Sequence, residues 1–268
     1  MQPPPQVSAW RWAAFVLFGV ALLPDSMTIA AEQESVTLDW TGISREYYAA
    51  CVEKALHKPE DGFEQAIAWR DMGGGAPAKH CVAVALFALE QYENAGLHLE
   101  RLANEEQSLS PALRSALLGQ AGDAWFSADA YERADAALGA ALKLTPNNTS
   151  LLLKRSLVAV AAESYYDAID DLNRVIELEP GNADALVYRA TAYRYLDALE
   201  LADDDVERAL AAQPDHPGAH LERGNLRRLR GADAGARQDW LRVIALAPES
   251  EAAEAARRNI EVLDIKGQ

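Results

Sequence analysis

The residues of this chain whose types and spacing could do chemistry are few. Cys51 and Cys81 are its two cysteines, with His57 and His80 close to them in sequence. Thiolates and imidazoles together are zinc ligands, but His80 and Cys81 are consecutive and so point in different directions on a helix. Dithiol redox chemistry would call for a Cys-x-x-Cys pair inside an α/β pattern, and the sequence has neither. A structural bridge, free thiols or a metal remain, and the elements that hold the two cysteines must decide among them. His216 and His220 have the i, i+4 spacing of a helical metal pair, yet His216 stands in a turn before Pro217, so the two are not expected on one helical face. Gly73, Gly74 and Gly75 lack both the preceding strand and the following Gly-Lys-Ser/Thr of a phosphate cradle. No Ser/His/Asp set or pair of carboxylates stands out from the background of helix charges. No catalytic residue, cofactor or metal is expected. Asn147-Asn148-Thr149 would matter as a glycan acceptor only in a eukaryotic secretory pathway.

A second set of reactive groups is periodic. Arg155, Arg189 and Arg223 stand 25 residues before Pro180, Pro214 and Pro248, and Asp171, Asp205 and Asp239 stand nine before the same prolines. Across an antiparallel helix pair those two heights face each other, so each arginine and aspartate read as an ion pair. The unit that ends at Pro146 carries Ala121 and Ala137 at both places. Stranding one buried charge costs about 3–5 kcal/mol, and joint replacement avoids that. The expectation is a ladder of structural pairs in preference to a basic stripe for anionic ligands.

The elements that position these groups follow from the prolines. Pro146, Pro180, Pro214 and Pro248 are spaced by 34 residues. Ala134, Ala168, Ala202 and Ala236 precede them by twelve, and the apolar Leu138, Leu172, Val206 and Trp240 by eight. A period of about 34 reads as a helix-turn-helix unit stacked on its neighbours. Before these regular units, helices are predicted from a Ser44 cap through Leu56, around Phe63 to Trp69, over Pro77–Leu89 and over Tyr92–Ala103. Phe63-x-x-Ala66 and Tyr92-x-x-Ala95 match Tyr131-x-x-Ala134 and Tyr165-x-x-Ala168, which makes two degenerate hairpins over 44–109. Four regular units follow within 110–250 (115–148, 149–182, 183–216 and 217–250), and 251–268 reads as a capping helix with Ala252, Ala256, Ile260 and Leu263 on one stripe, ending in a tail.

The N-terminus has a different character. Arg11, an apolar run from Trp12 to Leu23 and the small tail Thr28-Ile29-Ala30-Ala31 have the order of a secretory signal peptide, and the run is too short to span a bilayer. Cleavage is expected near Ala30/Ala31, with 31–43 a flexible linker, which places the mature chain in a periplasm or outside the cell with no stable membrane insertion. A net charge of -16 argues against nucleic acid, whose phosphates would be repelled.

Residues 115–250 resemble four tetratricopeptide (TPR) repeats of the exported bacterial type, and roughly 47–109 resemble two divergent ones. Gly122 and Gly224 match the small site of the first helix and Trp125 and Tyr193 its aromatic site, together with the alanines and prolines above. Ser156 and Ala190 depart from the glycine, and His220 stands where a large apolar residue is usual. The resemblance implies an all-α, right-handed superhelical solenoid of antiparallel helix pairs. It also implies a non-catalytic scaffold that binds a protein or peptide along its concave face. In that architecture Cys51 and Cys81 lie on the first helices of adjacent hairpins, which pack side by side, so a disulfide is expected. The implied concave residues are Asp123, Phe126, Lys154, Tyr188, Thr191, Arg194, Tyr195, Asn225 and Arg228. The chaperone-tail clamp of this family is not expected, because Gly119 with Asp123 and Leu153 with Leu157 occupy its lysine and asparagine positions. The competing expectation is an enzyme, or a redox or metal accessory protein, with a site at the cysteine-bearing hairpins.

Overall fold

A computed structural model describes residues 45–106 and 108–266; the expected signal peptide, the linker and the Ser44 cap lie outside the described residues. The described residues form thirteen α-helices and no strand. They fall into two compact units that divide between Asn148 and Thr149.

The first unit holds α1 (Arg45–His57), α2 (Pro59–Asp71), α3 (Gly75–Ala88), α4 (Tyr92–Glu105), α5 (Pro111–Ser127) and α6 (Tyr131–Leu144). Each helix packs on the next, and α1 also touches α3. Only Lys58 separates α1 from α2, and Pro59 opens α2 at the position where a missing N–H costs nothing. The two helices approach so closely that a Cβ at Gly62 would sit 2.4 Å from the Ala55 Cα. α3 is buried without interruption from Cys81 to Phe87, as befits a helix apolar on all sides. Ser110 caps α5 by accepting from the Leu113 N–H, with Pro111 at the first helical position.

The second unit holds α7 (Thr149–Ala161), α8 (Tyr165–Leu178), α9 (Ala183–Tyr195), α10 (Leu199–Ala212), α11 (Pro217–Leu229), α12 (Asp233–Leu246) and α13 (Glu251–Lys266). Consecutive helices pack in pairs here too, and the first helices of the pairs meet one another as α7 with α9, α9 with α11, and α11 with α13. α13 closes the last interface: Ala253 and Ala256 join Ala236, Trp240 and Val243 in one buried cluster, with Ile260 and Leu263 against it.

Small residues make these approaches possible. Ala66, Ala95, Ala134, Ala168, Ala202 and Ala236 are all fully buried. The glycine site of the first helix is set by the side chain sixteen residues later. A Cβ at Gly122 would lie 2.5 Å from Leu138 Cγ, and one at Gly224 would lie 2.5 Å from Trp240 Nε1. Ala190, with the smaller Val206 at the matching position, tolerates its methyl. The departure at Ala190 is thus matched by what stands opposite, whereas Ser156 faces a leucine, Leu172, as Gly122 does.

The prolines lie in the turns after α6, α8, α10 and α12. The opposite turns, inside each pair, share another device. Asp129, Glu163 and Asp197 adopt φ of 57°, 60° and 59°, and Gly231 takes 75° at the same repeat position. The following N–H closes a six-residue loop each time, from Ala130 to the Trp125 carbonyl (2.9 Å), Ser164 to Ala159 (2.8 Å), Ala198 to Tyr193 (2.9 Å) and Ala232 to Arg227 (2.9 Å). This is a Schellman termination, which satisfies otherwise orphaned carbonyls at the end of the first helix.

Candidate functional site

In the second unit the periodic arginines and aspartates meet. Arg155 Nε and Nη2 donate to the two carboxylate oxygens of Asp171 at 2.7 and 2.6 Å, and Arg189 does the same to Asp205 at 2.7 Å each. Arg223 Nη2 donates to Asp239 at 2.8 Å, with Nε shared between both oxygens at 3.2 Å. Such forks are directional, so they fix the relative height of the two helices as well as holding them. The second and third arginines also reach the preceding pair: Arg189 Nη1 donates to Asn173 Oδ1 at 2.6 Å, and Arg223 Nη1 lies 3.9 Å from Glu207. The ladder therefore ties neighbouring repeats together, a link that intra-repeat spacing does not reveal. Asp205 holds the Arg189 guanidinium in its charged form, overcoming the opposing effect of burial.

The first unit is secured otherwise. Cys51 on α1 and Cys81 on α3 are joined in a disulfide with Cα atoms 6.3 Å apart. A closed loop of this size contributes about 3 kcal/mol through the unfolded chain. His80 is buried beside it, with Nε2–H donating to Gln120 Oε1 at 2.7 Å and Nδ1 accepting from the Tyr48 hydroxyl at 2.8 Å. Burial pushes its imidazole down to about 4, so it is neutral at ordinary pH. Trp125 Nε1 donates to Glu100 at 2.8 Å, and the Arg133 guanidinium lies over the indole ring at 3.5 Å while bonding the same carboxylate. Ala121 and Ala137 are both buried where the ladder would continue.

The metal candidates have other partners. His57 donates to the Glu53 carbonyl of its own helix at 2.9 Å. His216 caps α11 by accepting from the Ala219 N–H at 3.1 Å, and its other nitrogen lies 3.0 Å from Asp184. His220 bonds the Pro214 carbonyl at 2.9 Å. Among the described residues no group of three or more His, Cys, Asp or Glu is placed to hold a metal ion.

The residues expected on a partner-facing surface divide into three kinds. Asp123 and Thr191 are buried, so they offer no open contact. Thr191 donates its hydroxyl to the Val187 carbonyl at 3.0 Å within α9. At its repeat position the first helices close on one another, as the bond from Asn259 Nδ2 on α13 to Asn225 Oδ1 on α11 (2.9 Å) makes plain. Phe126, Lys154 and Tyr188 are half-buried, and burial raises the Tyr188 phenol to about 12. Arg194, Tyr195, Asn225 and Arg228 form the third kind, a polar and aromatic group on α9 and α11.

Within that group Arg194 is already neutralised. It bonds the buried carboxylate of Glu222 on α11, and although burial works against its charge, Glu222 more than offsets this. Its guanidinium also lies 4.5 Å from the ring of Tyr195, which stacks on Tyr165 at 5.0 Å and 7° while remaining 38% exposed. Glu222 is absent from any periodic pattern, since the equivalent heights hold Tyr188 and Lys154, and Tyr165, although it recurs as Tyr131 one repeat earlier, gives no sign in the spacing that it meets Tyr195. Arg228, one repeat after Arg194, has no hydrogen bond or ion pair among the described residues, and its Nε is buried without a partner there. Leaving such a donor unpaired costs about 1–3 kcal/mol.

No protein-family model and no curated protein matches the sequence. Solved structures do. MamA 41-end from Desulfovibrio magneticus RS-1 is 22% identical with a TM-score of 0.55, covering 65% of this chain and 96% of its own. A tetratricopeptide repeat protein from Parabacteroides merdae ATCC 43184 is 18% identical with a TM-score of 0.55, over 81% of this chain and 75% of its own. YrrB, described as a TPR protein with an unusual peptide-binding site, is 18% identical with a TM-score of 0.50, over 73% of this chain and 97% of its own. The array of consecutive packed helix pairs is thus shared with solved TPR proteins, and this chain has the tetratricopeptide-repeat fold.

Proposed function

We propose that the chain is a non-catalytic protein-binding scaffold, and that the first helices of its pairs form a concave face that receives a peptide or helix. The observation that carries this reading is the group on α9 and α11. Tyr195, Asn225 and Arg228 reach solvent in whole or part, while the alanines of the second helices complete the packing without them. Aromatic rings and guanidinium groups of this kind supply most of the energy at protein interfaces. The likeness to YrrB supports the same reading.

The bonded cysteines, together with the N-terminal pattern of charge, apolar run and small residues, support export to a periplasm or beyond, where such a bridge persists. The charge of -16 speaks against nucleic acid as the partner. No described helix is long and apolar enough to cross a membrane. Redox or metal chemistry at the cysteine-bearing hairpins has no supporting observation, because Cys51 and Cys81 bond each other and His57 and His80 are held elsewhere.

Site-specific photo-crosslinking in cells tests the surface. A benzoylphenylalanine at Tyr195 or Asn225 is expected to yield discrete protein adducts, whereas one at Leu241, exposed on the second helix α12, is not. Equal adducts at all three positions, or adducts at Leu241 alone, would refute the assignment.

A further inference from the structure

Arg194 and Arg228 occupy the same height of successive repeats, 34 residues apart. Twenty-eight residues after Arg194 stands Glu222, its buried partner; twenty-eight after Arg228 stands Ala256, buried and without a charge. α11 and α13 pack on each other just as α9 and α11 do. The last interface therefore repeats the arginine of the one before it and omits the carboxylate. From α2 to α13 every other arginine has a hydrogen-bond or ion-pair partner, so Arg228 stands apart in chemistry as well as position. Asn225 lies one helical turn away on the same side of α11, and its amide is bonded to Asn259 of α13 and to Glu222, so it is already fixed in place.

We propose that Arg228 completes its pairing with a carboxylate supplied by the partner. The ligand is thus a peptide segment that presents an acidic side chain or its own C-terminal carboxylate to the α11–α13 interface. This deepens, and rests on, the reading of the first helices as a peptide-binding face. An Arg guanidinium matches a carboxylate with two parallel N–H donors, whereas an amide or an amine cannot complete that fork. The overall charge sharpens the inference. A chain with a net charge of -16 repels acidic ligands in general, so selectivity for them must come from a local, uncompensated cation.

The test uses the whole protein and a positional-scanning library of short peptides. Each position is fixed in turn as Asp, Glu, Asn, Gln, Lys or Ala, and every peptide is made with a free and with an amidated C terminus. Retention is expected to favour Asp or Glu over Asn or Gln at one position, or free over amidated ends, by about tenfold or more. The two arms tell a side-chain source from a terminal one. Arg228→Gln is expected to reduce that preference to about twofold or less with a melting temperature no lower than that of the wild type, and Arg228→Lys to leave an intermediate preference. Arg258→Gln, which removes the same charge from an exposed site on α13, is expected to leave it intact. Peptides retained without acid preference, or a preference that survives in both Arg228 variants, would overturn the proposal and leave the binding face standing. Retention of no peptide would overturn both.

Discussion

In α7 to α12 an arginine on each first helix grips an aspartate on the second, whereas in α5 and α6 the same two heights hold Ala121 and Ala137, both buried. The first unit relies instead on a covalent link between α1 and α3 and on a neutral histidine held by Tyr48 and Gln120. One architecture thus tolerates two kinds of adhesive. Forked ion pairs specify height and rotation between helices; apolar contacts and a disulfide hold helices close but leave register to shape. The second unit, whose three pairs repeat the same alanine heights with one period, has the greater need of register, because helices that present small residues at equal heights can slip onto each other's partners.

Breaking the ladder should have the largest effect. The Asp205 side chain is 3% exposed and Arg189 13%, so Asp205→Ala leaves a largely desolvated guanidinium and is expected to cost about 3–5 kcal/mol. The double change Arg189→Ala with Asp205→Ala copies the Ala121 and Ala137 solution and is expected to recover most of that loss. Urea unfolding, with hydrogen exchange to assign the change to α9 and α10, reads both; additive losses would remove the ladder as an energetic unit.

The first unit should respond to acid through His80. Its imidazole titrates near 6.5 in the unfolded chain and is lowered to about 4 in the folded one, so between these values the unfolded state binds more protons. Stability is therefore fully present above 6.5 and declines as pH falls toward 4, with no further loss from this group below that. The total is about 3 kcal/mol. Exchange protection of α3 amides against pH should show the decline in the wild type and a flatter profile in His80→Gln.

The smallest effect is steric. Gly224→Ala is expected to cost about 1–3 kcal/mol, since the new methyl meets the Trp240 indole. In a Trp240→Val background, which resembles Ala190 with Val206, the same change should cost little. A thermal-melt cycle over the four proteins checks the coupling.

Repetition decides what was legible in the sequence. The helix pairs, the alanine contacts and the Arg–Asp pairs recur at fixed offsets, and each stands where the period puts it. The cysteines are legible from the placement of their helices. Features that occur once leave no such trace. Glu222, which cancels Arg194, has lysine and tyrosine at its equivalent heights, and Tyr165 meets Tyr195 only through a contact between different pairs. The left-handed turn escapes for another reason: three of its four occupants are Asp or Glu, which conceal a conformation that glycine would have advertised. Asp123 and Thr191 are misplaced on an open surface because helical phase alone does not show where first helices close on one another.

In α5 and α11 the glycine of the first helix makes room for a large side chain of its own second helix, Gly122 for Leu138 and Gly224 for Trp240. A first helix moved alone into another repeat would therefore meet a side chain of the wrong size, while a complete hairpin carries its own fit with it. Recombination between such genes should survive best with crossovers at the proline turns, which makes the hairpin, rather than the single helix, the heritable part.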